Sequence, residues 1–259
     1  MSRIKELFEK KKQRVLNIYC TAGYPLVEST VKIIKALADN GADVIELGMP
    51  YSDPLADGPV IQASSNKAIA NGMTIEKLFH QLKEIRDAVT GVQTPIVLMG
   101  YMNPVLQYGF EKFCADAFSA GIDGLILPDL PEFEFENEYG PVIKKYNLDF
   151  IFLITPETSE ARVRKLDALS SGFLYAVSSS SVTGSNKDFS AVEDYLKRLQ
   201  SYNLKNPVMV GFGIKDKESF DAVCRYANGA IIGTAFISAL ENAPDAEAAA
   251  AEFVKSITG

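Results

Sequence analysis

Apolar residues in this chain occur in short unbroken runs, separated by longer stretches where they recur every three or four positions. Runs without polar alternation suit strands buried on both faces, and the wider spacing suits helices with one buried stripe. The pattern predicts strands at 16–21, 43–47, 96–99, 124–127, 150–154, 173–177, 208–210 and 230–232. It predicts helices at 2–12, 27–40, 61–71, 75–89, 105–120, 132–146, 160–169, 191–200 and 217–226, with the last helices after residue 233. Gly41 and Gly121 follow two of the helices, and Pro128 and Pro156 end two of the strands, as breakers should. Pro131 and Pro141 suggest that the 132–146 helix starts late.

Strands alternating with helices imply a parallel sheet. Eight such units in about 250 residues match a closed (β/α)8 TIM barrel, here with an extra N-terminal helix at 2–12. An open doubly wound sheet is the alternative, but it carries its Gly-rich phosphate turn after the first strand. Here the first turn is Thr21-Ala22-Gly23-Tyr24-Pro25, and the glycines cluster after strands six to eight. No linker or low-complexity stretch divides the chain, so residues 1–259 are expected to form one barrel domain.

The second strand breaks its own pattern. Glu46 lies among Val44, Ile45 and Leu47, and a buried carboxylate is costly unless compensated. A stiff loop follows, with Asp53 and Asp57 set among Gly48, Pro50, Pro54, Gly58 and Pro59. A strand glutamate feeding an aspartate-bearing loop looks like one wall of an acid–base site. A solvated or lysine-paired glutamate is the plainer reading of that stretch alone.

Composition narrows the function classes. A net charge of −7 and a pI near 4.9 argue against a nucleic-acid partner. No 18-residue apolar run is present, and the charged N-terminus lacks the apolar stretch of a signal peptide. Cys20, Cys114 and Cys224 are widely spaced and read as reduced cytoplasmic thiols, with no metal spacing. The one histidine, His80, falls in a helical pattern, which excludes His-based triads and multi-His metal sites. No apolar strand run carries a lysine, so a Schiff-base aldolase is disfavoured.

In barrels the loops after strands seven and eight often bind phosphate. Here they carry Gly211-Phe212-Gly213 and Gly233-Thr234, and the loop after strand six supplies Thr183 and Gly184. That 178–188 loop, rich in Ser and Gly, suits a cover that closes over a ligand. Glu46 and Asp57 belong to the same face, so the expected substrate is a phosphorylated small molecule gripped at one end and worked on by carboxylates at the other.

The stretch from Glu46 to Gln62, ELGMPYSDPLADGPVIQ, resembles the signature of the tryptophan synthase alpha subunit family. The likeness continues through TAGYP at 21–25, MGYMNPV at 99–105, LPDLP at 127–131, TPET at 155–158, VTG at 182–184, GFGI at 211–214 and GTA at 233–235. It implies a lyase of tryptophan biosynthesis that cleaves indole-3-glycerol phosphate to indole and glyceraldehyde 3-phosphate. Carried onto this chain, it makes Glu46 the general acid–base and Asp57 the acceptor for the indole N–H. Tyr19, Met99, Tyr101, Ile126 and Tyr175 would flank the indole, with ordinary core packing as the alternative for each. Gly184, Gly213, Gly233 and Thr234 would bind phosphate, and Thr183 would order the closing loop as well as line the phosphate end. The partner implied is a pyridoxal-phosphate-dependent beta subunit in an alpha2beta2 heterotetramer, met through loop 53–60, Asn103, Pro128, Asp129 and Pro131. This chain itself would carry no cofactor. Two departures stand out: Ser179 and Ser181 replace the Arg and Gly common before VTG, and Thr234 stands where Ser is common. Another phosphosugar-binding barrel, such as an isomerase of tryptophan or histidine biosynthesis, or a non-catalytic regulatory subunit, remains the rival reading.

Overall fold

The computed structural model describes residues 2–83, 85–86, 91–177, 189–211 and 213–259. The first half runs α1 (Arg3–Lys10), β1 (Val15–Thr21), α2 (Ser29–Asp39), β2 (Val44–Gly48), α3 (Pro59–Ala70), α4 (Ile75–Leu82), β3 (Ile96–Met99), α5 (Met102–Tyr108), α6 (Phe110–Ser119) and β4 (Gly124–Ile126). Next come α7 (Glu132–Glu134), a π turn (Phe135–Tyr139), α8 (Gly140–Lys145), β5 (Asp149–Phe150), β6 (Leu153–Ile154), α9 (Glu160–Leu169) and β7 (Leu174–Ala176). The chain finishes with α10 (Phe189–Ser201), β8 (Val208–Val210), α11 (Lys217–Val223), β9 (Gly229–Ile232), α12 (Thr234–Glu241) and α13 (Ala246–Thr258).

All strand pairs are parallel, in the order β5-β4-β3-β2-β1-β9-β8-β7-β6. The two ends of that order belong to one extended segment. Ile151 N donates to Leu125 O at 3.0 Å, while Phe152 O accepts from Tyr175 N at 3.0 Å. The ring therefore closes through residues 149–154, giving the TIM barrel. The expected single strand at 150–154 is two short strands because its first half pairs with β4 and its second half with β7. Every residue of β1, β2 and β3 is buried, as strands lined inside by side chains and outside by helices should be.

Two helix expectations are corrected. The helix expected at 105–120 is two helices, α5 and α6, broken at Gly109, whose φ of 96° no ordinary residue adopts comfortably. It also starts earlier, because the Asp129 carboxylate accepts from Met102 N at 3.0 Å and caps α5. The 132–146 helix starts at Glu132, not late. Pro141 is accommodated further on: the turn before it widens to a π turn, with Gly140 N donating to Phe135 O. The wider turn relieves the clash and missing N–H that a proline brings to a helix interior.

The N-terminal face of the barrel is held by polar and apolar plugs. α1 buries Ile4 and Phe8, and the Phe8 ring lies 6.3 Å from that of Phe173. Asp123, 5% exposed, receives Arg3 Nη1 at 2.7 Å, Arg86 Nη2 at 2.8 Å and the Ile96 amide at 2.8 Å. Arg86 also donates to the carbonyls of Gly121, Val92 and Thr94, tying the starts of β3 and β4 together. Burial raises the Asp123 carboxyl against the pull of Arg86, and lowers the Arg86 guanidinium to about 10. Asp123→Ala would strand a buried guanidinium. It is expected to cost about 3–5 kcal/mol, read from the urea midpoint by circular dichroism, with turnover per folded molecule unchanged.

Candidate active site

Glu46 stands in the middle of β2, level with Tyr19 of β1 and Val97 of β3, and is wholly buried. Its Oε2 accepts a hydrogen bond from Asn17 Nδ2 at 3.1 Å. Its Oε1 has no hydrogen-bond partner among the described residues. Burial, opposed by the Asn17 bond and reinforced by the charge of Asp57, pushes the carboxyl up to about 8. At neutral pH Glu46 therefore holds its proton, ready to give it up.

Two phenols share this interior. The Tyr19 ring lies against Gly48, where an added Cβ would come within 2.1 Å of the hydroxyl. The Tyr175 ring lies against Gly211 in the same way, with 2.2 Å left for a Cβ. Burial raises both phenols well above the usual range. For Tyr19 Asp57 adds more than Glu46, and for Tyr175 Glu46 adds more than Asp57. Both rings thus lie in the field of both carboxylates, and both hydroxyls stay protonated. Met99 and Ile126 are paired across β3 and β4, one pleat nearer the barrel mouth than Glu46, and both are buried. They supply an apolar wall beside the acid.

Asp57 lies on the loop between β2 and α3 and is half-buried. Burial raises its carboxyl, and the Tyr101 hydroxyl holds that rise back. Tyr101 also accepts from Ala56 N at 3.1 Å and packs on Tyr51, ring centroids 5.4 Å apart. The residue expected only as a pocket wall thus pins the loop that carries Asp57. Asp53, by contrast, is exposed.

Beyond β1 from the Glu46 strand, β9 and β8 run side by side, so their following loops are neighbours. Gly213 has a φ of 63°, which favours glycine, and Gly233 precedes α12. The first amides of a helix have no partner within it, so the start of α12 at the exposed Thr234 presents donors. Thr183, Gly184, Ser179, Ser181 and the whole 178–188 loop lie outside the described residues. On the outer rim, Asn103 is exposed and donates to Tyr51 Oη at 3.2 Å. Pro131 is exposed at the start of α7, and Asp129 is occupied in capping α5. His80 is an exposed residue of α4, away from this site.

Sequence reasoning missed Asn17. The signal was present, since a polar residue interrupts an apolar strand there just as Glu46 does in β2, but only the strand register shows that the two meet.

A protonated buried carboxyl, a second carboxylate on a pinned loop and a helix N-terminus on the rim suit acid–base work on a phosphorylated substrate. The family model described as "Tryptophan synthase alpha chain" matches residues 5–258. The tryptophan synthase alpha chain of Flavobacterium johnsoniae is 52% identical over 241 residues, covering 93% of this chain and 94% of that one. That of Christiangramia forsetii is 50% identical over 260 residues, covering 100% of each. The crystal structure of tryptophan synthase subunit alpha from Legionella pneumophila is 36% identical and superposes with a TM-score of 0.89, over 99% of this chain and 97% of that one. With the barrel and its buried acid in place and nearly the full length matched, the chain belongs to the tryptophan synthase alpha chain family.

Proposed function

We propose that Glu46 and Asp57 carry the step by which this lyase splits indole-3-glycerol phosphate into indole and glyceraldehyde 3-phosphate. The observation that carries the reading is the wholly buried Glu46 carboxyl, which keeps its proton at neutral pH in sight of a second carboxylate. Glu46 gives that proton to indole C3. Asp57 accepts the hydrogen bond of the indole N–H and offsets the positive charge that appears on the ring. Glu46, now ionised, takes the proton of the hydroxyl beside the breaking bond. The carbon–carbon bond then breaks, leaving the aldehyde on one fragment and indole on the other. The proton given is regained, so the cycle closes without a cofactor in this chain.

Tyr19, Met99, Tyr101, Ile126 and Tyr175 flank the indole in this reading. Gly213, Gly233 and Thr234, with Thr183 and Gly184, take the phosphate. The protein works with a beta subunit in an alpha2beta2 assembly, and the pyridoxal phosphate belongs to that partner. The contact is assigned to loop 53–60, Asn103, Asp129 and Pro131. Exposed apolar side chains near these segments, Leu55 at 85% and Phe133 at 68%, support an interface there. No helix among the described residues is long and apolar enough to cross a membrane. A cytoplasmic setting, with all 259 residues as one domain, completes the proposal; the three cysteines are buried and unpaired, in keeping with it.

Glu46→Gln tests the assignment: turnover of indole-3-glycerol phosphate, followed as indole release, is expected to fall by at least about 100-fold. Retained turnover sinks it. The pH profile of kcat/KM is expected to be bell-shaped. It falls as pH rises through about 8, where free Glu46 loses its proton, and falls in acid as Asp57 gains one, above the usual aspartate range. A flat profile between pH 7 and 9 contradicts the acid role. Stability carries the same signature. Between the ordinary glutamate value and about 8 the folded state holds a proton that the unfolded chain has released, so stability drops as pH rises through that window. Glu46→Gln removes that loss, which is on the order of 5 kcal/mol. Its melting temperature should pull ahead of the parent's between pH 5 and pH 8 in thermal scans.

A further inference from the structure

We infer that Asn17 is a positioning residue for Glu46: it engages one carboxyl oxygen, Oε2, and leaves the other, Oε1, to carry the proton that the reaction moves. This rests on Glu46 being the acid–base, as proposed above. Asn17 is wholly buried in β1, in the apolar sequence Val15-Leu16-Asn17-Ile18-Tyr19. It is level with Val44, two residues below the pair Tyr19 and Glu46, and strand alternation puts it on the same interior face as Tyr19. Its amide therefore reaches Glu46 from beneath, on the side away from the barrel mouth, at 3.1 Å.

With its Nδ2 toward Glu46 the amide donates, so the oxygen it touches accepts in both protonation states; the amide's own Oδ1 has no partner among the described residues. The proton then resides on Oε1, which is buried and meets no other hydrogen-bond partner among the described residues. The Asn17 contact thus makes two equivalent oxygens unlike. It also fixes the carboxyl plane, so that the same oxygen gives a proton to carbon and takes one from a hydroxyl.

The other groups facing Glu46 do not supply this. Asp57, from the loop after β2, disfavours the ionised form. Tyr19 on β1 and Tyr175 on β7 keep their own protons because burial raises both phenols well above their usual range; Cys20, on the outer face of β1, is likewise raised by burial, to about 12. Among these neighbours Asn17 alone favours the carboxylate that must exist midway through the cycle.

The experiment compares Asn17→Leu and Asn17→Asp with the parent and with Glu46→Gln, each checked for native circular dichroism. Asn17→Leu keeps the volume and removes the donor. It should lower kcat at pH 7 roughly 10- to 100-fold, as misplaced reacting groups do, with KM within about twofold. The basic limb of its kcat/KM profile should move up by about half a unit or more, since a hydrogen bond to the charged form is lost. Asn17→Asp keeps the shape and sets a second carboxyl beside the first. It should move that limb further up, because two adjacent carboxyls share one proton. Should Asn17→Leu fail to fold, the isosteric Asn17→Asp decides alone. Folded variants with parental kcat and an unmoved limb, alongside an inactive Glu46→Gln, overturn the inference and leave the acid–base reading standing. A rise in KM with an unmoved limb also overturns it, marking Asn17 as packing alone. An active Glu46→Gln removes the acid–base reading, and this inference with it.

Discussion

A carboxyl group held inside a closed barrel governs this protein's design. Removing Glu46 from water makes its charge expensive, so at neutral pH the carboxyl keeps its proton. The strands that exclude the water are the same apolar runs that build the core, so the cost of the site is borne by the packing that surrounds it. Compensation is partial and local: among the described residues it is one amide from the neighbouring strand. A lysine or arginine in that place would hold Glu46 as an anion. Stability is gathered elsewhere, at the opposite face. There α1 and the Asp123–Arg86 cluster tie the strand starts together.

The two carboxylates differ because they belong to different kinds of structure. Glu46 is part of a strand bonded on both sides and has little freedom. Asp57 rides on a loop, and its position depends on the grip of Tyr101 on the neighbouring amide. One is poised by burial, the other by a tether that connects through Tyr51 to Asn103 on the rim. Acid strength and positioning are therefore set by separate parts of the fold.

Local signals revealed much of this before any coordinates. Alternating apolar runs and amphipathic stretches located the strands and helices, because most strand residues are buried on both faces. Glu46 was visible as a polar residue in an apolar strand, and Asp57 as a carboxylate in a proline-stiffened loop. What stayed hidden depends on distant partners. Residues 105–120 looked like one helix, yet Gly109, with a φ of 96°, divides α5 from α6. The segment at 150–154 looked like one strand, yet its halves bond to different neighbours. Asn17 is separated from Glu46 by 29 residues, and only the register of β1 on β2 brings them together.

The glycines beneath the two phenols have a further implication, for how such a site can change over generations. At residues 48 and 211 any side chain would collide with the ring of Tyr19 or Tyr175. A larger residue there forces the ring opposite to move or to shrink. Each ring and its glycine are thus coupled, so that a change at one is felt at the other. A lineage that drifts toward a new substrate meets less resistance when the phenol is lost first, so the sequence of mutations, and not only their sum, bears on which pockets this barrel can reach.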